Sequence, residues 1–321
     1  MGIIDVVELR KYFPVKKGVF AKHDWLRAVD GVNFSVKEGT VFSLVGESGS
    51  GKSTVARLVL RLILPTSGKI FFKDKNMWEF KRDSLREFRK SVQIIFQDPF
   101  ASLNPRMTVF DTISEPLKIH KLAKKSELRN KVVGLLASVG LQSDVLNRYP
   151  HEFSGGQRQR ICIARALAVS PKVIVADEPL SALDVSIQAQ ILNILQELKL
   201  RSNISFLFIS HELRVVQYFS DEVAVMYLGK IVEYSKTDEL FNNPLHPYTV
   251  ELLSSAPRIN PESKKREILK GEVPSPIDVP PGCPFHPRCP KRFEPCDKIV
   301  PALKQIQDQE AKGRLVSCHL F

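Results

Sequence analysis

Three apolar runs of the chain end in polar residues, and each run has the composition of a buried strand. In the first, TVFSLVGESGSGKST, apolar residues 41–45 precede a loop of glycine and serine and then a helical pattern that begins near Ser53. The second, VIVADEP, covers residues 173–179, and the third, ISFLFISHE, covers residues 204–212. Nearly continuous apolar strands that alternate with helical segments predict an α/β fold, with a parallel sheet covered by helices on both faces. Ligand sites in such sheets lie at the carboxyl ends of the strands, where all three polar motifs fall.

Two further segments differ from this pattern. Residues from about 98 to 168 lack strand patterns and have helical spacing, as in DTISEPLKIHKL and SELRNKVVGLLASVGL. After Asn243 prolines become frequent, which indicates a separate extension. We therefore predict an α/β domain over residues 1–243, with a helical subdomain at about 98–168, and a C-terminal extension over residues 244–321.

The composition is compatible with several classes of binding partner. A chain of 321 residues suits one large domain or two, and its formal net charge of +12 is compatible with nucleic acid, an anionic membrane surface or phosphorylated ligands. The N-terminal residues lack the apolar segment of a signal peptide, and no run approaches the length of a bilayer span. We therefore expect a cytosolic protein.

The segment GESGSGKST fits the pattern G-x-x-x-x-G-K-[ST] of a phosphate-binding loop. Its glycines let the backbone wrap around a polyphosphate, Lys52 contacts the outer phosphates, and Ser53 would bind Mg²⁺. A flexible glycine and serine turn has the same composition, but the position between a strand and a helix favours a phosphate loop. The predicted nucleotide-binding residues are Gly46, Ser48, Gly49, Ser50, Gly51, Lys52, Ser53 and Thr54.

Two more motifs complement this loop. Asp177 ends the second apolar run and is placed to hold Mg²⁺, directly or through water, while Glu178 can accept a proton from an attacking water. An Asp-Glu pair could also cap the next helix, but its occurrence with a phosphate loop favours catalysis. The segment FSGGQ begins a helix and offers a hydroxyl and exposed N–H groups, although by itself it would be an ordinary helix cap.

The order of these motifs resembles that of the ATP-binding-cassette ATPases, over roughly residues 1–243. The resemblance implies that Gln97 of IIFQDP contributes to the Mg²⁺ site and links the nucleotide to the helical subdomain, and that His211 contacts the γ-phosphate. It also implies that two cassettes bind two ATP molecules head to tail. The residues that would then act at the neighbour's nucleotide or at the interface are Ser154, Gly155, Gly156, Gln157 and Asp184.

The sequence departs from this family or leaves a choice at two places. The signature motif of the family normally starts with leucine, whereas this chain has Phe153, a change that leaves the Ser-Gly-Gly donors in place. By resemblance an aromatic side chain upstream of the phosphate loop stacks on adenine. Phe13 fits this role best, with Tyr12, Phe20 and Trp25 as alternatives.

A narrower resemblance comes from FQDPFASLNPRMTV, NPLHPYTVELLSSAP and the cysteine-bearing tail, which are similar to the ATPase subunits of oligopeptide, dipeptide and nickel importers. This resemblance implies ATP hydrolysis that powers peptide import at the cytoplasmic face of the membrane. The implied partners are a second ATPase, identical or different, two permease subunits and an extracytoplasmic binding protein, with no nucleic acid expected. The alternatives are import of nickel or oligosaccharides, and a cassette ATPase acting on DNA or ribosomes. Those DNA and ribosome ATPases usually carry a long coiled coil or a second cassette, and neither occurs in this sequence.

Four of the 5 cysteines lie in the tail, at Cys283, Cys289, Cys296 and Cys318. In a reducing cytosol such a group favours metal ligands over disulfides, and four thiolates suit Zn²⁺ or an iron–sulfur cluster. The gaps exceed the usual C-x₂₋₄-C of structural zinc pairs, which favours a [4Fe-4S] cluster, and some members of the similar subfamily carry one at matching cysteines. His286 and His319 could instead complete a mixed zinc site.

Overall fold

The computed structural model describes residues 2–16, 23–255, 272–306 and 313–321. The chain divides into two compact units: unit 1 contains Met1–Val36, Val41–Trp78 and Ser210–Phe321, and unit 2 contains Lys37–Thr40 and Glu79–Ile209. The domain boundary at residue 243 stays a prediction, since residues on both sides of it lie in unit 1. Of the helices in the described ranges, none combines the length and the apolar character of a bilayer span.

The strands in the described ranges are β1 (Ile4–Lys16), β2 (His23–Val36), β3 (Val41–Val45), β4 (Ser67–Phe72), β5 (Lys75–Asn76), β6 (Val92–Ile95), β7 (Val173–Asp177), β8 (Ser205–Ser210), β9 (Glu222–Tyr227), β10 (Lys230–Lys236), β11 (Lys304–Gln305) and β12 (Leu315–Val316). The α-helices are α1 (Lys52–Val59), α2 (Arg82–Ser91), α3 (Pro99–Ser102), α4 (Val109–Ile119), α5 (Leu128–Ser138), α6 (Gly155–Leu167), α7 (Val185–Ser202), α8 (Leu213–Phe219), α9 (Thr237–Asn242) and α10 (Pro247–Ser255).

Unit 1 contains an antiparallel sheet that the sequence analysis did not predict. Its strands follow the order β2-β1-β4-β5. The pairing of β1 with β2 shifts register between Val6 and Leu9, where Glu8 has a left-handed backbone with φ of 48°. Such bulges break the alternation of apolar and polar residues, which is why this strand is hard to recognise from sequence.

The buried strand β3 belongs to a second set of strands in unit 1. It pairs in parallel with β9, and β9 pairs antiparallel with β10. All five residues of β3 are buried, in agreement with the continuous apolar run of the sequence. Helix α1 follows directly after the phosphate loop, so the predicted succession of strand, loop and helix is present.

Unit 2 combines three parallel strands with most of the helices. Strand β7 lies between β6 and β8 and pairs in parallel with both. The segment between β6 and β7 is described throughout and contains helices α3 to α6 without a strand. These helices occupy the segment predicted as a helical subdomain.

The C-terminal extension is fastened to strand β10 within unit 1. Strand β12 pairs with β10, and the buried carboxylate of Glu233 in β10 accepts hydrogen bonds from the backbone N–H groups of Leu245 and His246. The Arg314 guanidinium lies 3.2 Å from the same carboxylate, with side chains 5% and 0% exposed. Burial lowers the pKa of His246 to about 3, so its neutral ring accepts the Tyr248 N–H and donates to the Ser317 carbonyl.

Loss of the Arg314 charge is predicted to destabilise unit 1. The Arg314→Gln variant leaves the Glu233 carboxylate buried without its cation, which costs about 3 kcal/mol of unfolding free energy. Denaturant unfolding of the full chain measures this change. The exposed ion pair between Lys298 and Glu294 provides the control: Lys298→Gln is expected to change stability by less than about 0.5 kcal/mol. Equal stability of the two variants would contradict the anchoring role of Arg314.

Candidate functional site

The phosphate loop connects β3 to α1 in a conformation that requires glycine at its end. Gly51, the N-terminal cap of α1, has a φ of 106°, a region that side chains rarely adopt. A Cβ atom there would also collide with the Ala28 carbonyl oxygen. A hydrogen bond of 2.9 Å from the Gly229 N–H to the Ser50 carbonyl also holds the loop.

The side chain of Lys52 lies within this loop. Its ammonium group donates to the carbonyl oxygens of Gly46 and Glu47, both at 2.8 Å, and to the Ser50 hydroxyl at 3.4 Å. The residue is only 4% exposed. The cation therefore lies among the backbone groups of the loop, where a bound polyphosphate would need it.

Glu47 connects the phosphate loop to the C-terminal extension. Its two carboxylate oxygens accept hydrogen bonds from the Arg288 guanidinium at 2.8 and 3.1 Å, and its backbone N–H donates to the Tyr248 hydroxyl at 2.9 Å. The hydrogen bond to Glu47 raises the pKa of Arg288 further, so the guanidinium stays charged. These contacts were not predicted from the sequence. The signals that were available are an acid inside a phosphate loop and an arginine between two clustered cysteines.

Unit 2 holds the predicted catalytic carboxylate. Glu178 follows strand β7 with a left-handed backbone, φ 49°, which is unusual for a residue other than glycine and is typical of functional sites. Its N–H donates to the Ile209 carbonyl at 2.9 Å. The Gln97 amide donates to its carboxylate at 3.2 Å, so the structure brings these two predicted residues together. Asp177 is the last residue of β7, and His211 follows β8 and belongs to unit 1.

The signature motif forms the beginning of helix α6. The Ser154 hydroxyl accepts the Gln157 N–H, and the Gln157 side chain accepts the Ser154 N–H in return, which is a capping box. Gly156 packs against Ile187 of α7 so closely that a Cβ atom would collide with that side chain. Asp184 caps α7 by accepting the Ile187 N–H at 3.0 Å. The predicted interface residues Ser154, Gly155, Gln157 and Asp184 are exposed.

The aromatic candidates for adenine differ in their contacts. Phe13 is partly exposed on β1, and the Lys11 ammonium lies 4.9 Å from its ring centroid. The Tyr12 hydroxyl donates to Asp30. The pKa of Tyr12 is raised to about 12, mainly by burial and to a lesser extent by this hydrogen bond and the charge of Asp30. Trp25 is 51% exposed, and Phe20 lies outside the described residues. The assignment of Phe13 stays a prediction.

The four clustered cysteines line one cavity together with His246, His286 and His319. Burial raises the pKa of Cys283 to about 11 and also raises that of Cys289 and Cys318, while each of these sulfurs accepts a backbone N–H two residues further on. The rings of His286 and His319 contact the carbonyls of Cys283 and Ile299. Over the described ranges, no three His, Cys, Asp or Glu side chains are placed to hold one metal ion.

Two protein families match the chain. Residues 29–181 match the family described as ABC transporter, and residues 232–296 match the family described as oligopeptide/dipeptide transporter, C-terminal region. The chain is 50% identical over 324 residues to the oligopeptide transport ATP-binding protein AppF of Bacillus subtilis strain 168. The aligned region covers 99% of this chain and 97% of the relative. It is 46% identical over 317 residues to the dipeptide transport ATP-binding protein DppF of Escherichia coli strain K12, covering 98% and 93% respectively.

Solved structures show the same fold. The dimeric, post-hydrolysis ATP-binding cassette MJ0796 bound to ADP and Pi aligns with a TM-score of 0.65 at 27% identity, covering 73% of this chain and 98% of that cassette. This similarity confirms the predicted α/β class and the phosphate-loop cassette. The residue roles within it stay predictions.

A methyl group at Gly156 is predicted to separate α6 from α7. The Gly156→Ala variant should lower the unfolding free energy by about 2 kcal/mol, because the new Cβ collides with Ile187. Gly155→Ala is the matched control, since its Cβ would make an ordinary contact of 3.5 Å with Leu183. Thermal unfolding of both variants measures the difference. A Gly156→Ala protein as stable as Gly155→Ala would show that this packing does not constrain the signature helix.

Proposed function

The chain belongs to the ATP-binding-cassette family of transporter ATPases, in the branch that contains the peptide transport ATP-binding proteins, and we propose that it hydrolyses ATP to power import of dipeptides or oligopeptides. One observation supports the peptide assignment above all. The region specific to oligopeptide and dipeptide transporters, residues 232–296, begins in strand β10 and continues through three of the four clustered cysteines. Near full-length similarity to transport proteins also favours transport over action on DNA or ribosomes.

The proposed mechanism assigns each motif a separate task. The loop backbone and Lys52 bind the phosphates, and Ser53, Asp177 and Gln97 would hold Mg²⁺, which supplies charge neutralisation when bound. Glu178 accepts a proton from the water that attacks the γ-phosphate. The Gln97 amide, 3.2 Å from the Glu178 carboxylate, orients that base. His211 contacts the γ-phosphate.

The transporter would contain two cassettes, two permease subunits and an extracytoplasmic binding protein, with this chain at the cytoplasmic face of the membrane. Support for paired cassettes comes from the exposed signature residues and Asp184, which are free to meet a second subunit, and from the dimeric state of the similar cassette MJ0796. ATP held between two subunits favours the closed dimer, and hydrolysis removes the bridging phosphate and permits reopening.

We further propose that the four-cysteine cavity holds a [4Fe-4S] cluster with a structural role. Its lining by all four thiols and the N–H donors to three sulfurs fit thiolate ligands. The gaps between the cysteines exceed the C-x₂₋₄-C of structural zinc pairs, and this spacing favours the cluster over Zn²⁺.

Substitution of the proposed base should separate binding from hydrolysis. Glu178→Gln is expected to lower the ATPase rate of the assembled transporter by at least about 100-fold, because the amide cannot accept the proton, while ATP binding is retained. Lys52→Ala is expected to weaken ATP binding as well as hydrolysis. Steady-state ATPase assays and nucleotide binding measure the two effects. Wild-type hydrolysis by Glu178→Gln would remove this residue from the mechanism.

The same variant also tests the paired cassettes. With ATP bound but not cleaved, Glu178→Gln should accumulate as a dimer, alone or with a partner ATPase, in light scattering. Adding Ser154→Arg places a long cation at an exposed signature position and should prevent association. Dimers that form equally well with Ser154→Arg would count against the head-to-tail arrangement.

Metal analysis tests the cysteine site. Protein purified without oxygen should be brown and contain iron and sulfide, and Cys318→Ser should lose the colour and expose the extension to protease. Cys162→Ser is the control, since that thiol is buried in α6 beside Ser102 and should not affect the colour. Colourless protein with one zinc per chain would replace the cluster by zinc. Metal-free protein with four reactive thiols would exclude both metals.

A further inference from the structure

An acidic residue inside a phosphate-binding loop needs an explanation. Glu47 directly follows Gly46, and its backbone carbonyl contacts the Lys52 ammonium. A carboxylate at this position repels the phosphates that the loop binds, since like charges interact over several ångströms near a protein surface. Without compensation, Glu47 would oppose the attraction provided by Lys52.

Arg288 supplies that compensation. Its guanidinium binds both carboxylate oxygens in a two-pronged arrangement, and its side chain is 4% exposed while that of Glu47 is 24% exposed. Charge-assisted pairs of this geometry are stronger and more directional than single-contact pairs. The pair therefore neutralises Glu47 and fixes where its carboxylate points.

Aromatic side chains support both partners of the ion pair. The rings of Tyr227, Tyr248 and Phe285 form a buried cluster with centroid separations of 4.7 to 5.4 Å. The guanidinium of Arg288 lies about 6 Å from the ring centroids of Tyr227 and Phe285. Tyr248 accepts the Glu47 N–H, so the same cluster also holds the loop backbone.

The position of Arg288 is set by the turn that carries the first two clustered cysteines. Consecutive hydrogen bonds run from His286 N–H to the Cys283 carbonyl, from Arg288 N–H to the Phe285 carbonyl, and from Cys289 N–H to the His286 carbonyl. Cys283 is itself paired through its N–H with the Cys296 carbonyl at 2.8 Å. The backbone of Arg288 is therefore held in place by the hydrogen bonds of the cysteine-bearing turn.

We propose that Arg288 is a positioning residue for ATP binding: it neutralises and orients Glu47, so that the affinity for nucleotide depends on the cysteine-bearing turn 283–289. The inference rests on the ATPase part of the proposed function and not on the transported substrate. Failure of peptide transport would leave it unaffected, because it is tested by nucleotide binding alone.

The test measures the dissociation constant of a non-hydrolysable ATP analogue with Mg²⁺ on the full chain. Arg288→Gln should weaken binding about tenfold, because Glu47 then opposes the phosphates. The double variant Glu47→Gln with Arg288→Gln should return to within about threefold of wild type, as no charge is left uncompensated. The loss in Arg288→Gln should shrink at high salt, which a misfolded loop would not show.

Two further variants serve as comparisons. Arg288→Lys keeps the charge but loses the two-pronged contact, so its affinity should lie between those of wild type and Arg288→Gln. Lys298→Gln, which removes an exposed cation elsewhere in the extension, should bind like wild type. Unchanged affinity in Arg288→Gln would overturn the proposal. An equal, salt-independent loss in Arg288→Gln and in the double variant would also overturn it, since Arg288 would then maintain the fold of the loop and not its charge.

Discussion

Burial of whole strands decides where polar chemistry can occur in this protein. All the residues of β3 and β8 are buried, and β7 is buried up to its last residue. Side chains along such strands must be apolar or small, because a buried charge without a partner is strongly unfavourable. The functional groups are therefore confined to the turns that leave the strands, where the backbone still provides unpaired N–H groups and where α1 begins.

These turns are held by neighbours far away in the sequence. Glu178, whose backbone is left-handed, donates its N–H to the carbonyl of Ile209. Its carboxylate accepts a hydrogen bond from the Gln97 amide, 81 residues away in the sequence. In the signature region Gly156 and Asp184 both depend on Ile187, one through side-chain packing and the other through a capping bond. Glu178, Gly156 and Asp184, for which we propose catalytic or interface roles, thus each contact a residue that helps to fix their position.

The sequence predicts features formed by neighbouring residues, but not contacts between residues that are far apart in the chain. The apolar run at 41–45 matches β3 residue for residue, because a strand buried on both faces leaves a continuous pattern. Strand β1 was missed, since its bulge near Glu8 interrupts the alternation. The four cysteines could be grouped by their proximity in the chain, and the structure places them around one cavity. The pairing of Glu47 with Arg288 spans 241 residues and leaves no periodic signal.

The composition of unit 1 has a consequence for biosynthesis. Unit 1 contains Met1–Val36, Val41–Trp78 and Ser210–Phe321, whereas unit 2 is almost one continuous stretch, Glu79–Ile209. Domains generally fold as their segments leave the ribosome. Unit 2 can therefore fold while synthesis continues. The phosphate loop is synthesised early, but its contacts with Tyr248 and Arg288 can form only after those residues have been synthesised. A nascent or prematurely terminated chain would hold a phosphate loop with an uncompensated acid, and only a chain translated through its extension would acquire the complete nucleotide site.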